Sequence, residues 1–236
     1  MRPKLKENPI KELSALQMLG PHENVIGFRE SCQDYEHFYL VMDFYNGGEL
    51  YDVVEKNGAL PEDAAKKYFQ QVVRGLMHLH KAGVAHRDVS LENVLCDRET
   101  GKCVLIDFGM CIRFTPSSSS SPSSAPMLPF AGSHGKRTYI APELVAREPF
   151  FDPIKVDVWA LGIMLFILLT GVPPFECASP QNLAYSMLKD GQLEELLSGW
   201  NFHLSSAAID MLQKILNPDP STRFGLSDIL AHPWLA

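Results

Sequence analysis

The sequence predicts an α+β protein: a thin region of strands and one helix up to about residue 45, then a larger, mainly helical region. Three observations carry this. Ile10, Leu13, Leu16 and Leu19 recur in steps of three, as on one face of a helix. Residues 25–28 and 38–44 are short apolar runs separated by a polar turn at Gln33-Asp34, the pattern of paired strands. From Pro61 onward, most apolar residues fall at helical spacing.

The elements follow in order. Gly47-Gly48 ends the strand region. Pro61-Glu62-Asp63 opens a long helix through His80, and its acidic first turn suits the helix dipole. Phe69, Val72, Val73, Leu76 and Leu79 supply its core face, and Gly83 closes it. Residues 94–95 and 104–106 form a predicted hairpin around Thr100-Gly101. Residues 115–129 are dominated by Ser and Pro, a composition that buries too little to order itself. Residues 160–169 read as a buried core helix, being too short to span a bilayer. Residues 183–188, 207–216 and 226–230 are further predicted helices.

Composition narrows the function. The chain has 236 residues, 46% hydrophobic and 21% charged, an ordinary globular balance. Its net charge of −7 argues against nucleic acid or an anionic membrane as partner. The five cysteines are scattered and include no C-x-x-C, which argues against a zinc site and for a reducing, intracellular compartment, cytoplasmic or nuclear. The amino terminus shows no apolar signal core. Oligomeric state is not legible.

The chemistry concentrates in three strings: His86-Arg87-Asp88-Val89-Ser90-Leu91-Glu92-Asn93, then Asp107-Phe108-Gly109, then Ala141-Pro142-Glu143. A lone Asp or Asn in a loop is ordinarily a turn former, but their order and spacing point elsewhere. The strings resemble the H-R-D-x-x-x-x-N, D-F-G and A-P-E elements of eukaryotic protein kinases. The likeness extends from about Glu12 to Trp234 and is nearest to calcium/calmodulin-dependent-like serine/threonine kinases. It implies a bilobal kinase fold with an incomplete first lobe and hinge over residues 1–45 and a complete helical lobe over 46–236. The catalytic loop would be residues 86–93. The activation segment would be residues 107–143, with the Ser/Pro-rich insertion at 115–129.

The resemblance also implies roles. Asp88 would accept or orient the proton of the attacking hydroxyl, while Asn93 and Asp107 would hold Mg²⁺ through hard oxygen ligands. Gly109 would permit the turn that brings Asp107 to the metal. His86, Arg87 and Phe108 would shape this region. ATP would meet the hinge: Met42 as gatekeeper, backbone groups of Asp43 and Tyr45 at adenine, Glu49 at ribose or a basic substrate. Leu95 and Ile106 would line the nucleotide floor, and Leu95 reads equally as a core leucine. Asp157 would brace the catalytic loop, and Glu143 and Arg223 would form a structural ion pair. Glu12 aligns with the helix glutamate that pairs with an ATP-gripping lysine; it reads equally as a solvated helix charge.

Departures from the family pattern sharpen the expectations. No G-x-G-x-x-G precedes Glu12, and Lys4 and Lys6 do not read as strand lysines. The sequence is therefore expected to be a partial kinase; the alternative is a catalytically impaired kinase that serves as a protein-binding module. Ser90 stands where most serine/threonine kinases carry Lys, and Gly135-Lys136 stands where they carry Gly-Thr. The expectation is an exchange, with Lys136 supplying charge near the γ-phosphate and Ser90 the hydroxyl. The alternative is a solvated loop lysine.

The expected reaction is ATP-dependent phosphorylation of protein substrates on serine or threonine. Met110, after D-F-G, predicts serine over threonine. Glu49 and Glu92 would favour an arginine three residues before the acceptor, and Ile167 argues against demand for a second one. Ser133 is an expected phosphorylation site acting through Arg87, and residues 117–124 offer further acceptors or a flexible insertion.

Overall fold

The computed structural model describes residues 9–115, 127–130, 132–133 and 135–235. Lys4, Lys6 and residues 117–124 lie outside the described residues.

Helix α1 spans Pro9–Leu19. Ala15, Leu16 and Leu19 are buried, whereas Ile10 is exposed. A three-residue step falls short of a 3.6-residue turn, so the expected stripe drifts round the helix and carries Ile10 away from the core. Strand β1 runs Phe28–Gln33 and pairs antiparallel with β2, Phe38–Met42. The Asp34 carboxylate closes the turn between them by accepting the amides of Glu36 and His37 at 2.8 and 2.7 Å.

The strand expected at 25–28 begins later. Val25 instead makes a parallel bridge to Leu105, and the amides of Ile26 and Leu105 donate to Leu105 and Asn24 carbonyls, each at 3.0 Å. This stitch ties the amino-terminal region to the larger one.

Helix α2, Leu50–Asn57, was not expected, because only Leu50 and Val54 mark its buried side. Helix α3, Glu62–Lys81, buries the expected Phe69, Val72, Val73, Leu76 and Leu79. Strand β3, Val84–Ala85, leads into the catalytic loop. The hairpin β4, Val94–Cys96, and β5, Cys103–Leu105, forms as expected. Strand β6, Ile112–Arg113, pairs with β3.

The expectation of an unordered tract over 115–129 fails at its end. Leu128–Pro129 forms β7 against β8, Phe150–Phe151, beyond the short helix α4, Pro142–Val145. Two residues suffice for this pairing because Phe151 is buried and anchors it.

Helix α5, Pro153–Thr170, is the spine of the large region. Asp152 caps it, accepting the amides of Ile154 and Lys155, and Gly171 ends it at φ 77°. It is long and apolar enough to cross a bilayer, but 89% of it is buried within the protein. A helix apolar on every side is buried on every side. Gly162 lets α8, Ser206–Ile215, approach: a Cβ there would lie 2.6 Å from the Ile215 side chain. Between them lie α6, Leu183–Lys189, and α7, Leu193–Gly199, and after them α9, Leu226–Leu230. Buried Leu193, Leu196 and Leu197 carry the helical spacing that would have revealed α7.

Candidate active site

The catalytic loop hangs from the buried Asp157 carboxylate of α5. Its oxygens accept the amides of His86 at 2.8 Å and Arg87 at 2.7 Å. His80 of α3 adds a third contact, its Nε2 lying 2.8 Å from Asp157 Oδ2. Arg87 holds φ at 67°, a conformation that costs a non-glycine residue about 1–3 kcal/mol. The paired amides and the flanking β3–β6 ladder hold it there.

His86 is fully buried and joins the loop to the next strand. Its Nε2 lies 2.9 Å from the Ile106 carbonyl, and its Nδ1 accepts the Asp88 amide at 3.3 Å. The buried Phe108 ring lies 5.2 Å from it.

Asp88 and Asn93 lie at one focus. Asn93 Nδ2 donates to the Asp88 carbonyl at 2.7 Å and to Asp88 Oδ2 at 3.0 Å. The Asn93 nitrogen is thereby committed, which leaves Oδ1 as its ligating atom. Asp88 Oδ1 is buried and, among the described residues, accepts no hydrogen bond. Burial pushes the Asp88 carboxyl above its ordinary range and the Asp107 charge adds to this, while Lys136, His86 and Asn93 oppose it. Asp107 itself holds φ at 61° and accepts the Gly109 amide at 3.1 Å. The strained turn of this motif therefore falls on Asp107, and Gly109 serves as the donor that fixes its carboxylate. The Asp107 carboxylate and the Asn93 amide oxygen are hard donors of the kind Mg²⁺ takes.

Lys136 reaches this focus. Its Nζ donates to Ser90 Oγ at 2.9 Å and lies 3.5 Å from Glu92 Oε2. Gly135, whose steric role the sequence did not show, is essential to the approach. It holds φ at 87°, and a Cβ there would sit 2.9 Å from Asp88 Oδ1. Buried Tyr139 accepts the Leu91 amide at 3.5 Å, and burial pushes its phenol up.

The hinge residues border the hairpin. Gly47 donates to the Cys96 carbonyl at 2.9 Å, and a Cβ there would meet that oxygen at 2.5 Å. The Asp43 amide is committed to the Gly27 carbonyl at 2.9 Å, so its carbonyl is the group left for a base; its carboxylate pairs with Arg29. The Tyr45 amide has no hydrogen-bond partner among the described residues, and the Lys102 ammonium lies 5.9 Å from the Tyr45 ring. Glu49 begins α2 and bridges Leu95 through its backbone. Leu95 and Ile106 are both half-buried, while Met42, at the end of β2, is 37% exposed.

Three supporting residues have specific partners. The Glu12 carboxylate accepts the Phe108 amide at 3.4 Å. Glu143 takes two hydrogen bonds from Arg223, each 2.9 Å. The Arg223 guanidinium also donates to the carbonyls of Asn217, Lys155 and Pro218 and lies 5.1 Å from the Trp159 ring. Exposed Ser133 donates to the Leu144 carbonyl at 3.3 Å, and Arg87 donates to neighbouring Gly132 at 3.3 Å.

A strand–helix region is joined to a helical one, and the hydrogen-bonded Asp88–Asn93 pair lies within electrostatic reach of Asp107. A family model of the protein kinase domain matches residues 1–235, and the chain belongs to the protein kinase family. It is 36% identical over 224 residues to CBL-interacting serine/threonine-protein kinase 15 of Arabidopsis thaliana, covering 95% of this chain and 49% of that one. It is 33% identical over 232 residues to calcium/calmodulin-dependent protein kinase type 1 of Macrobrachium nipponense, covering 98% and 62%. Calcium-dependent protein kinase 10 of Arabidopsis thaliana is 33% identical over 231 residues, covering 97% and 40%. The chain thus spans between 40% and 62% of the length of these relatives.

Proposed function

We propose that this site transfers the γ-phosphate of ATP to protein hydroxyl groups, with serine preferred and a basic side chain nearby on the substrate. The observation that carries it is Asp88 Oδ1: a buried carboxylate oxygen with no partner among the described residues, on a loop held rigid by Asp157. An incoming hydroxyl would donate to that oxygen, and Asp88 would orient it and take its proton. Asn93 and Asp107 would hold Mg²⁺, which when bound neutralises phosphate charge. The Asp43 carbonyl and Tyr45 amide would pair with adenine above Leu95 and Ile106. Lys136, beside Ser90, would supply the positive charge that the transferring phosphate needs. The relatives' names, all serine/threonine or calcium-dependent kinases, support the same reading.

Glu92 would meet a substrate arginine, and Ser133, next to the Gly132 carbonyl that Arg87 touches, would accept a regulatory phosphate. The test is phosphate transfer from labelled Mg·ATP to serine and threonine peptides, read beside a nucleotide thermal shift. Nucleotide at a hundred times its Kd should add about 2.7 kcal/mol of stability. Mg·ATP binding with transfer to serine is the expected result. Binding of protein partners with no nucleotide shift would replace this reading with that of a non-catalytic binding module.

A further inference from the structure

Glu92 and Lys136 meet in a contact that leaves the carboxylate incompletely satisfied. The pair is separated by 3.5 Å, with side chains 30% and 40% exposed. Yet the Glu92 oxygen nearest the ammonium is buried and accepts no hydrogen bond among the described residues. The ammonium's hydrogen bond goes to Ser90 instead. Glu92 therefore holds a counter-charge loosely and keeps acceptor capacity in reserve.

A guanidinium would fill that capacity better than Lys136 does. Its planar fork offers two parallel N–H donors to one carboxylate, where a lysine offers a flexible point charge. The acidic surroundings favour such a visitor: Glu55 foremost, then Glu92 and Asp52, act on Tyr51 at this edge of the site and raise its phenol. Once displaced, Lys136 remains near Ser90 and within electrostatic reach of the Asp88 carboxylate.

We propose that Glu92 exchanges cations as the substrate binds. In the free protein it holds Lys136. A substrate guanidinium takes its place, and Lys136 turns to the phosphate beside Asp88. This rests on the phosphate-transfer reading and adds a coupling: the guanidinium and the nucleotide strengthen each other's binding by the same factor, as linkage requires.

The test is calorimetry on the chain and its Lys136→Gln variant. The ligands are the Mg²⁺ complex of the β,γ-imido analogue of ATP and two serine peptides. These carry arginine or its neutral isostere citrulline three residues before the acceptor. Lys136→Gln is expected to bind the arginine peptide about fivefold tighter than the parent does, a coupling at the low end of the usual range. The citrulline peptide should not distinguish the two proteins. In the parent, saturating arginine peptide should tighten nucleotide binding by a similar factor, and in Lys136→Gln it should not. Weaker or unchanged arginine-peptide binding by Lys136→Gln overturns the exchange, since Lys136 would then not be occupying Glu92. Equal affinity of the parent for both peptides, with nucleotide binding intact, also overturns it and leaves the nucleotide site standing. No affinity for nucleotide or peptide in the parent is the distinct failure of the phosphate-transfer reading itself.

Discussion

Lys136 Nζ donates a hydrogen bond to Ser90 Oγ at 2.9 Å across 46 residues of sequence. The hydroxyl comes from the catalytic loop and the ammonium from the segment before α4. The two groups touch, and the catalytic role of the pair is a proposal.

If Lys136 supplies charge to the transferring phosphate, Lys136→Ala should lower kcat by about 10²-fold, the scale for losing one preorganised donor. Steady-state kinetics check this. A rate equal to the parent's would reduce Lys136 to a solvated lysine.

Asp88 titrates above the ordinary aspartate range, mainly because it is partly desolvated. A folded-state value above the unfolded one means that the folded protein binds that proton more tightly. The ionised form then costs stability, and the cost grows as pH rises from the unfolded value through the folded one. Asp88→Asn should therefore raise Tm at neutral pH, with the gain vanishing below the ordinary carboxylate range, while phosphate transfer is lost. Melting curves across pH decide it; a neutral-pH Tm below the parent's would contradict the prediction.

Gly135→Ala places a methyl 2.9 Å from Asp88 Oδ1 and forces alanine to φ 87°. The backbone conformation alone should cost about 1–3 kcal/mol. Because the methyl crowds the oxygen assigned to the substrate hydroxyl, kcat should fall as well. Denaturant titration and kinetics separate the two effects, and a fully active, equally stable variant would refute both.

The Glu143–Arg223 pair is buried and doubly hydrogen-bonded. Arg223→Ala leaves Glu143 uncompensated, and removing one partner of such a pair costs about 3–5 kcal/mol. Chemical denaturation should show this as a lower midpoint. A loss below 1 kcal/mol would mean that water enters to replace the arginine.

How much of this was legible beforehand depended on the kind of signal. Helix α3 was readable because five large apolar residues repeat on one face of a long segment. Helix α2 was not, since Leu50 and Val54 alone make too short a pattern. The roles proposed for Asp88, Asn93 and Asp107 came from the resemblance of their motifs, in order and spacing, to those of protein kinases, a signal that survives without coordinates. Glu12 read equally as the glutamate that pairs with an ATP-gripping lysine and as a solvated helix charge, and its contact with the Phe108 amide could not be read from sequence. The importance of His80 and Gly135 also escaped, because each acts through a neighbour supplied by a distant part of the chain.

The order of residues alone pointed to the family, to most of the apolar helices and to the groups proposed to do the chemistry, because local periodicity and motif spacing are written along one dimension. Tertiary structure alone decided that His80 joins Asp157 beneath that loop, that Asp88 keeps a buried oxygen open, and that Lys136 stands between Ser90 and Glu92. The physical reason is that desolvation, close approach and charge pairing depend on distances between segments, and those distances exist only once α5 is buried and the loops close around it.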